Sequence, residues 1–232
     1  MAPALRMRGA WRRANVPRMK KIGILGSGKV GEVLANGFLL HGHPVMRGSR
    51  DPGKLAEWKA GAKGEASVGT FADTAKWAEI VVLAVKGTGA EPAIEEAGVA
   101  NLAGKLVIDA TNPIADVPPK NGALTYFTGA NESLIQRLQN KAPQAKFVKA
   151  WNSVGNPVMV NPKFATTPSM FICGNDAGAK KEASEILVKF GWEPIDVGGV
   201  ELGVAVEALC ILWCAPGFLQ NDWVHAFKYL KP

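Results

Sequence analysis

Three glycines at the spacing of a phosphate-binding loop are the clearest chemical signal in the sequence. The segment consists of Gly26, Ser27, Gly28, Lys29, Val30 and Gly31. It directly follows the apolar run 21–25 and opens a segment with helical periodicity. In such a loop the glycines permit a tight turn, close approach to a pyrophosphate, and close helix–strand packing. The N–H groups at the helix start then attract the anion. These six residues are therefore predicted to bind a dinucleotide; a tight turn that binds nothing is the less favoured alternative.

The residues after the second predicted strand indicate which dinucleotide is bound. An NAD-preferring site places Asp or Glu there to bind the ribose hydroxyls. This sequence has Ser49 and Arg50 instead, and Lys54 follows one helical turn later. A hydroxyl donor and two cations suit a 2′-phosphate, which a carboxylate would repel. The sequence therefore predicts NADP(H) as the cofactor, although a solvated helix start would also explain Lys54 taken singly.

Residues at the ends of later strands are predicted to complete the site, because ligands of open α/β sheets lie beyond the carboxyl ends of the strands. Those predicted to contact the cofactor are Ala84, Val85, Lys86 and Asn112. Those predicted to form the pocket of a redox acceptor are Asn112, Pro113, Trp151, Asn152 and Ser153. Loop-capping hydrogen bonds would explain the two asparagines equally well, and a core position would explain Trp151.

No residue is predicted to act as a catalytic acid or base. His41 and His43 follow the first helix, which places them at the opposite end of the sheet. Only His225 could reach the site, through folding of the tail or from a dimer partner. Hydride transfer to a flat acceptor needs mainly orientation and exclusion of water, which polar and aromatic side chains can supply.

The elements that position these residues alternate between strands and helices, which predicts an α/β fold with a Rossmann doubly wound parallel sheet. The predicted strands are 21–25, 44–48, 66–69, 80–85, 106–110 and 146–150, with two looser ones at 169–173 and 193–197. We expect a disordered extension over 1–18, an NADP-binding domain over 19–150, and a small C-terminal α/β appendage over 151–232. The appendage is predicted to contribute to the acceptor site.

The last predicted helix starts near Val200 and is apolar almost all round. Such a helix needs a cover on more than one side, so we expect a homodimer with a second subunit against it. Pro216 and Gly217 are expected to break the helix. Glu207 interrupts the apolar run and is predicted to have either a buried partner or an exposed position at the dimer rim.

Composition excludes several classes of function. Hydrophobic residues make up 47% of the 232 residues, and the formal charge of +7 arises from seven basic residues within positions 1–21. The remaining 20 basic residues balance 20 acidic ones, so no nucleic-acid face is predicted. Three cysteines without metal-ligand spacing exclude a disulfide framework and a zinc site, and we predict no metal. No uninterrupted apolar stretch reaches about 18 residues, so a cytoplasmic protein without a membrane partner is expected.

Several segments together resemble the NADPH-dependent coenzyme F420 reductase family, whose dinucleotide domain also occurs in pyrroline-5-carboxylate reductases and membrane metalloreductases. They are ILGSGKVGEVLANGFLLHGH, GSRDP, VIDATNPI, FVKAWNSVG and WVHAFKYL. The resemblance implies a usually dimeric Rossmann protein that moves hydride between NADPH and a deazaflavin or flavin, here F420, FMN or FAD. It also implies 2′-phosphate contacts at Ser49, Arg50 and Lys54. Asn152 stands where archaeal members have histidine, and the glycine loop is shorter.

Two other functions are compatible with the sequence. A non-catalytic NADP(H)-binding sensor or partner protein is the first, since acid–base side chains are scarce near the predicted site. An imine reductase of the pyrroline-5-carboxylate type is the second. It is disfavoured because only about 80 residues follow Trp151, which is short for a helical substrate domain.

Overall fold

The computed structural model describes residues 18–232, so the predicted extension, apart from Arg18, lies outside the described residues. The strands are β1 Ile22–Leu25, β2 Val45–Gly48, β3 Ala66–Gly69, β4 Ile80–Leu83, β5 Leu106–Asp109, β6 Lys146–Lys149, β7 Ser169–Ile172 and β8 Glu193–Asp196. The helices are α1 Lys29–Leu40, α2 Ala56–Gly61, α3 Phe71–Trp77, α4 Ala90–Ala97, α5 Val99–Leu102, α6 Leu134–Lys141, α7 Ala177–Lys189 and α8 Gly203–Gln220. Each predicted strand therefore has a counterpart.

Six strands form one parallel sheet in the order β3-β2-β1-β4-β5-β6, and β7 pairs with β8 in a separate parallel pair. The order on either side of β1 is that of a doubly wound Rossmann sheet, which confirms the predicted fold class. All residues of β1, β4 and β5 are buried, as expected for central strands covered by helices on both faces. The carboxyl ends of the strands consequently meet at one edge of the sheet.

The predicted boundary between residues 150 and 151 falls directly after β6. Apolar packing continues across it, because Trp151, Met170 and Phe190 belong to the same buried cluster as Ile22 and Ile24 of β1. The backbone continues across it as well, since the Lys149 N–H donates to the Cys173 carbonyl at 2.9 Å. Residues 151–232 therefore pack directly against the sheet and its helices.

The prediction that Pro216 and Gly217 break the last helix is wrong. Helix α8 continues through Pro216 to Gln220 and ends where Asn221 adopts φ 56°, with the Asn221 N–H donating to the Gly217 carbonyl. Gly217 is retained because a Cβ there would lie 2.3 Å from the Trp223 ring. Loss of one backbone hydrogen bond at proline is tolerated where packing on the last turn compensates for it.

The segment Val200–Gln220 is long and apolar enough to cross a membrane, with a mean hydropathy of 1.9, and it was found in a search of residues 18–232. Sequence analysis did not anticipate this, because two glutamates interrupt the apolar run. Core helices of soluble proteins meet the same criterion. Glu207, inside this helix, is 1% exposed and ion-paired.

Candidate functional site

The glycine loop between β1 and α1 has the geometry that its sequence predicts. Gly26 adopts φ 148°, and a Cβ there would lie 2.2 Å from the Ala84 carbonyl oxygen. A Cβ on Gly31 would lie 2.7 Å from the Gly26 carbonyl oxygen, so the third glycine permits close packing of helix on strand. A Cβ on Gly28 would meet nothing within 4 Å. The second glycine thus faces open space, which is what close approach of a ligand requires.

This loop opens onto a cleft of about 700 Å³ at the carboxyl edge of the sheet. Predicted residues that line it are Ser27, Gly28, Ser49, Arg50, Lys54, Ala84, Val85 and Lys86. Lining residues that were not predicted include Phe71, Thr88, Pro92 and Glu96. Lys29, Val30 and Gly31 instead form the first turn of α1, where the Lys29 ammonium pairs with Glu32 at 2.8 Å.

The turn after β2 presents donors and cations to the cleft. Ser49 is 4% exposed, and its hydroxyl oxygen accepts from the Asp51 N–H at 3.2 Å, which leaves the hydroxyl proton free to donate. The Asp51 carboxylate caps the next turn by accepting from the Gly53 N–H. Within residues 18–232, Arg50 and Lys54 form no ion pair. Two uncompensated cations beside a hydroxyl donor suit a phosphate monoester.

The predicted acceptor residues lie close together, but most are buried. The Asn112 side-chain N–H donates to the Asn152 carbonyl oxygen at 2.7 Å, and the Asn152 side-chain amide donates to Asn112 Oδ1 and to the Val206 carbonyl. Asn152 and Ser153 are 3% and 4% exposed, and Pro113 is buried. Only Asn112 is partly accessible. Asn112 does not line the cleft itself, but its carbonyl oxygen would lie 1.9 Å from a Cβ on Gly87, which stands between the lining residues Lys86 and Thr88.

Trp151 is placed in the core, not on the cleft wall. It is 1% exposed and adopts φ 59°. The centroid of its ring lies 6.2 Å from that of Phe38 and 5.4 Å from that of Phe190. His225 stacks on Trp213, with 4.9 Å between ring centroids and its Nε2 at 2.9 Å from the Trp213 carbonyl. The tail therefore packs His225 onto α8.

A buried cluster of three charges was only partly anticipated. The Lys149 ammonium lies 2.5 Å from Asp109 and 2.8 Å from Glu207, and it donates to the Thr111 carbonyl at 2.9 Å. All three charged side chains are at most 1% exposed. Burial alone lowers the pKa of Lys149, but the two carboxylates outweigh this and raise it. The ammonium is therefore enclosed by two carboxylates and a carbonyl oxygen inside the protein.

Glu207 also connects two helices. Its carboxylate accepts from the N–H groups of Leu134 and Ile135 at 2.9 and 3.0 Å, which are the first two residues of α6. Negative charge at a helix start is stabilising, because the N–H groups there lack partners within the helix. Of the two environments predicted for Glu207, the structure shows the buried one.

Arg47 in β2 was missed by sequence analysis. Its side chain is 1% exposed and lies beneath the glycine loop, with Nη2 donating to the Gly28 carbonyl at 3.1 Å. The signal that could have identified Arg47, Asp109 and Lys149 is a charged residue inside an otherwise apolar parallel strand. The strands concerned read VMRG, LVID and KFVK.

A Rossmann sheet with this loop and these cations defines the class of NADP-dependent oxidoreductases. A family model described as NADP oxidoreductase, coenzyme F420-dependent, matches residues 21–113. A structure from Arthrobacter sp. FB24, provisionally named an F420-dependent NADP reductase, is 32% identical, with a TM-score of 0.85 over 91% of this chain and 100% of that chain. The chain belongs to the coenzyme F420-dependent NADP oxidoreductase family.

Two further relatives extend the comparison. Metalloreductase STEAP3 of Rattus norvegicus is 28% identical over 84% of this chain, and this chain spans 38% of its length. A hypothetical protein of Sinorhizobium meliloti superimposes with a TM-score of 0.68 at 22% identity, over 92% of this chain and 97% of that one. The second match shows the fold alone.

Proposed function

We propose that the protein transfers a hydride between NADP(H), bound in the 700 Å³ cleft, and a flavin-like or deazaflavin acceptor bound beside Asn112. The observation that carries the proposal is the convergence of the glycine loop with Ser49, Arg50 and Lys54 on one open space. The open position at Gly28 supports the fit of these residues to a pyrophosphate.

Each part of the cleft would hold a different part of the cofactor. The N–H groups at the start of α1 would hold the pyrophosphate. Ser49, Arg50 and Lys54 would hold the 2′-phosphate through a hydroxyl donor and two charges. Gly87 and Asn112, where the loops after β4 and β5 touch, would orient the reacting end and exclude water. When bound, NADPH supplies the hydride.

The character of the cleft supports an acceptor that needs no protein acid. Among the described residues that line it, no histidine occurs, and its two carboxylates are Asp51, which caps the turn after β2, and Glu96 in α4. Flavins and deazaflavins take hydride at a ring whose protons exchange with solvent, so positioning suffices. F420, FMN and FAD are the candidates to test, with the family resemblance favouring F420.

The test is NADPH oxidation by the purified protein, followed as absorbance at 340 nm with F420, FMN or FAD as acceptor. Turnover with one acceptor and saturation in both substrates support the proposal. Absence of turnover with all three, in protein that binds NADPH by calorimetry, contradicts it. That second result would support a non-catalytic NADP(H)-binding protein, the candidate favoured by the burial of Asn152 and Ser153.

We also propose that a second copy of the chain covers helix α8. Its outward stripe of Ala205, Ala208, Leu212 and Leu219 carries no charge, and the two leucines are 62% and 63% exposed. Light scattering should report a dimer that Leu212→Glu converts to monomer. A monomeric wild type that sediments with phosphatidylcholine vesicles would contradict this and favour a membrane contact. A cytoplasmic location remains our prediction.

A further inference from the structure

Arg47 is a buried cation without an anionic partner. Parallel strands covered on both faces are normally apolar, yet Arg47 lies in β2 with 1% of its side chain exposed. Within residues 18–232 it forms no ion pair, and residues 1–17 contain no Asp or Glu. Glu32 is the acidic group that acts on it, and that carboxylate is paired with Lys29. Glu32 and Glu57 line the same cavity as Arg47, but among the described residues no carboxylate forms an ion pair with it.

Neutral groups hold the guanidinium in place. Nη2 donates to the Gly28 carbonyl at 3.1 Å and lies 3.5 Å from the Gly26 carbonyl. The guanidinium carbon lies 4.9 Å from the centre of the Trp58 ring, and the Trp58 indole is anchored by donation to Asn36 at 2.8 Å. The buried Nε has no hydrogen-bond partner among the described residues. Burial lowers the pKa of Arg47, as expected for a charge removed from water.

The contact with Gly28 braces the loop where α1 begins, because the same carbonyl also accepts from the Glu32 N–H at 3.0 Å. In a trans peptide the C=O and the following N–H point in opposite directions. A Gly28 carbonyl directed at Arg47 therefore turns the Lys29 N–H away from the guanidinium. Gly28 itself borders the cleft, and a Cβ there would meet nothing within 4 Å. Gly28 thus borders the 700 Å³ cleft, whereas Arg47 lines a second cavity of about 410 Å³ on the other side of the loop.

We propose that Arg47 is a positioning residue for the dinucleotide pyrophosphate, acting from beneath the glycine loop by its charge and by bracing the Gly28 carbonyl at the start of α1. The proposal rests on the proposed NADP(H) binding. It accounts for a buried charge with no internal counter-ion, because the bound pyrophosphate supplies one. Since NADP and NAD share the pyrophosphate, Arg47 should support both equally, whereas Arg50 and Lys54 should discriminate between them.

The test compares Arg47→Met with wild type in two measurements that need no acceptor. Calorimetry should show binding of NADP⁺ and NAD⁺ weakened by about tenfold each, the loss of one charge-assisted interaction. Thermal unfolding without ligand should show an unchanged or higher midpoint, because an unpaired buried charge has been removed. Arg47→Lys should recover part of the affinity. Lys59→Met, which removes an exposed cation from α2, should change neither measurement.

The outcomes separate this proposal from the proposed function. Unchanged affinity in Arg47→Met, a loss confined to NADP⁺, or a lower midpoint with intact affinity would each overturn it while NADP(H) binding stands. If Arg47→Met fails to fold, Arg47→Gln keeps a donor toward Gly28 without the charge and is measured instead. A wild-type protein that binds neither dinucleotide overturns both proposals.

Discussion

Two buried cations in the same sheet, Arg47 in β2 and Lys149 in β6, have different partners. Lys149 lies between two carboxylates at 2.5 and 2.8 Å and donates to a carbonyl, so its charge is neutralised within the fold. Arg47 is also shielded from solvent, but within residues 18–232 it hydrogen-bonds to carbonyls and stacks on an indole ring without forming an ion pair. The pKa of Lys149 is raised and that of Arg47 is lowered, which follows from that difference in partners.

This difference distinguishes Lys149, whose charge stabilises the fold, from Arg47, whose charge is proposed to act on a ligand. A buried ion pair satisfied internally holds elements together, and removing one member leaves an isolated charge behind. Lys149 joins the ends of β5 and β6 to α8, beside the loops that carry Asn112 and Asn152. Arg47 lies where a polyanion is predicted to bind. The first half of the chain thus carries the proposed cofactor site, and the second half closes the carboxyl edge of the sheet.

The largest expected effect is on Lys149. Lys149→Met leaves Asp109 and Glu207 buried without a counter-ion, and we expect the free energy of unfolding to fall by about 3–5 kcal/mol. Urea denaturation measures it. Lys146→Met is the matched control, because its pair with Asp176 is partly exposed and should contribute at most about 1 kcal/mol. Equal losses of unfolding free energy in the two variants would contradict a special stabilising role for the buried Lys149 cluster.

The next effect concerns the cations that face the cleft. Arg50→Glu replaces a proposed phosphate partner by a repelling charge, so NADP⁺ affinity should fall by about a hundredfold, as expected for loss of a charge-assisted contact plus repulsion. NAD⁺ affinity should stay within about twofold, because NAD⁺ has no 2′-phosphate. Calorimetry with both dinucleotides measures it. An unchanged preference between them would remove the basis for assigning this turn to NADP.

The pH dependence of the unfolding free energy tests the environment of Lys149. Its pKa is raised in the folded state above the ordinary value of 10.5, so its contribution is fully present below pH 10.5 and is lost as pH rises through the folded pKa. The difference in unfolding free energy between wild type and Lys149→Met should therefore be constant from pH 7 to 10 and then shrink by up to about 1.4 kcal/mol per pH unit. If the difference instead grows above pH 10.5, the pKa of Lys149 is lowered in the folded state, which would contradict this prediction.

The smallest effect is on cysteine reactivity. Burial raises the pKa of Cys173, beside the Lys149 cluster, to about 12. The pKa of half-buried Cys214 is lowered by a hydrogen bond from Cys210, whose sulfur lies 3.9 Å away. Iodoacetamide at pH 8 should therefore modify Cys214 first, since the thiolate is the reactive form. Peptide mass spectrometry measures the order, and earlier labelling of Cys173 would contradict the environment described here.

Local patterns predicted most of the fold. Alternation of apolar strands with amphipathic helices gave the parallel sheet, and Gly26, Gly28 and Gly31 gave the loop geometry, because both depend on neighbours within a few residues. The residues around Pro216 show the limit of such rules. A proline is unfavourable inside a helix, but packing of Trp223 against Gly217 lies outside what the local pattern contains.

The sequence by itself determined the strands and helices of a parallel sheet, the glycine loop and the cations after β2, because periodicity, turn conformation and charge are properties of short segments. Tertiary structure alone decided that Trp151 is in the core, that Glu207 reaches Lys149, and that Arg47 forms no ion pair among the described residues. The physical reason is that the role of a buried charge depends on the groups that contact it. Those groups come from strands and helices far apart along the chain.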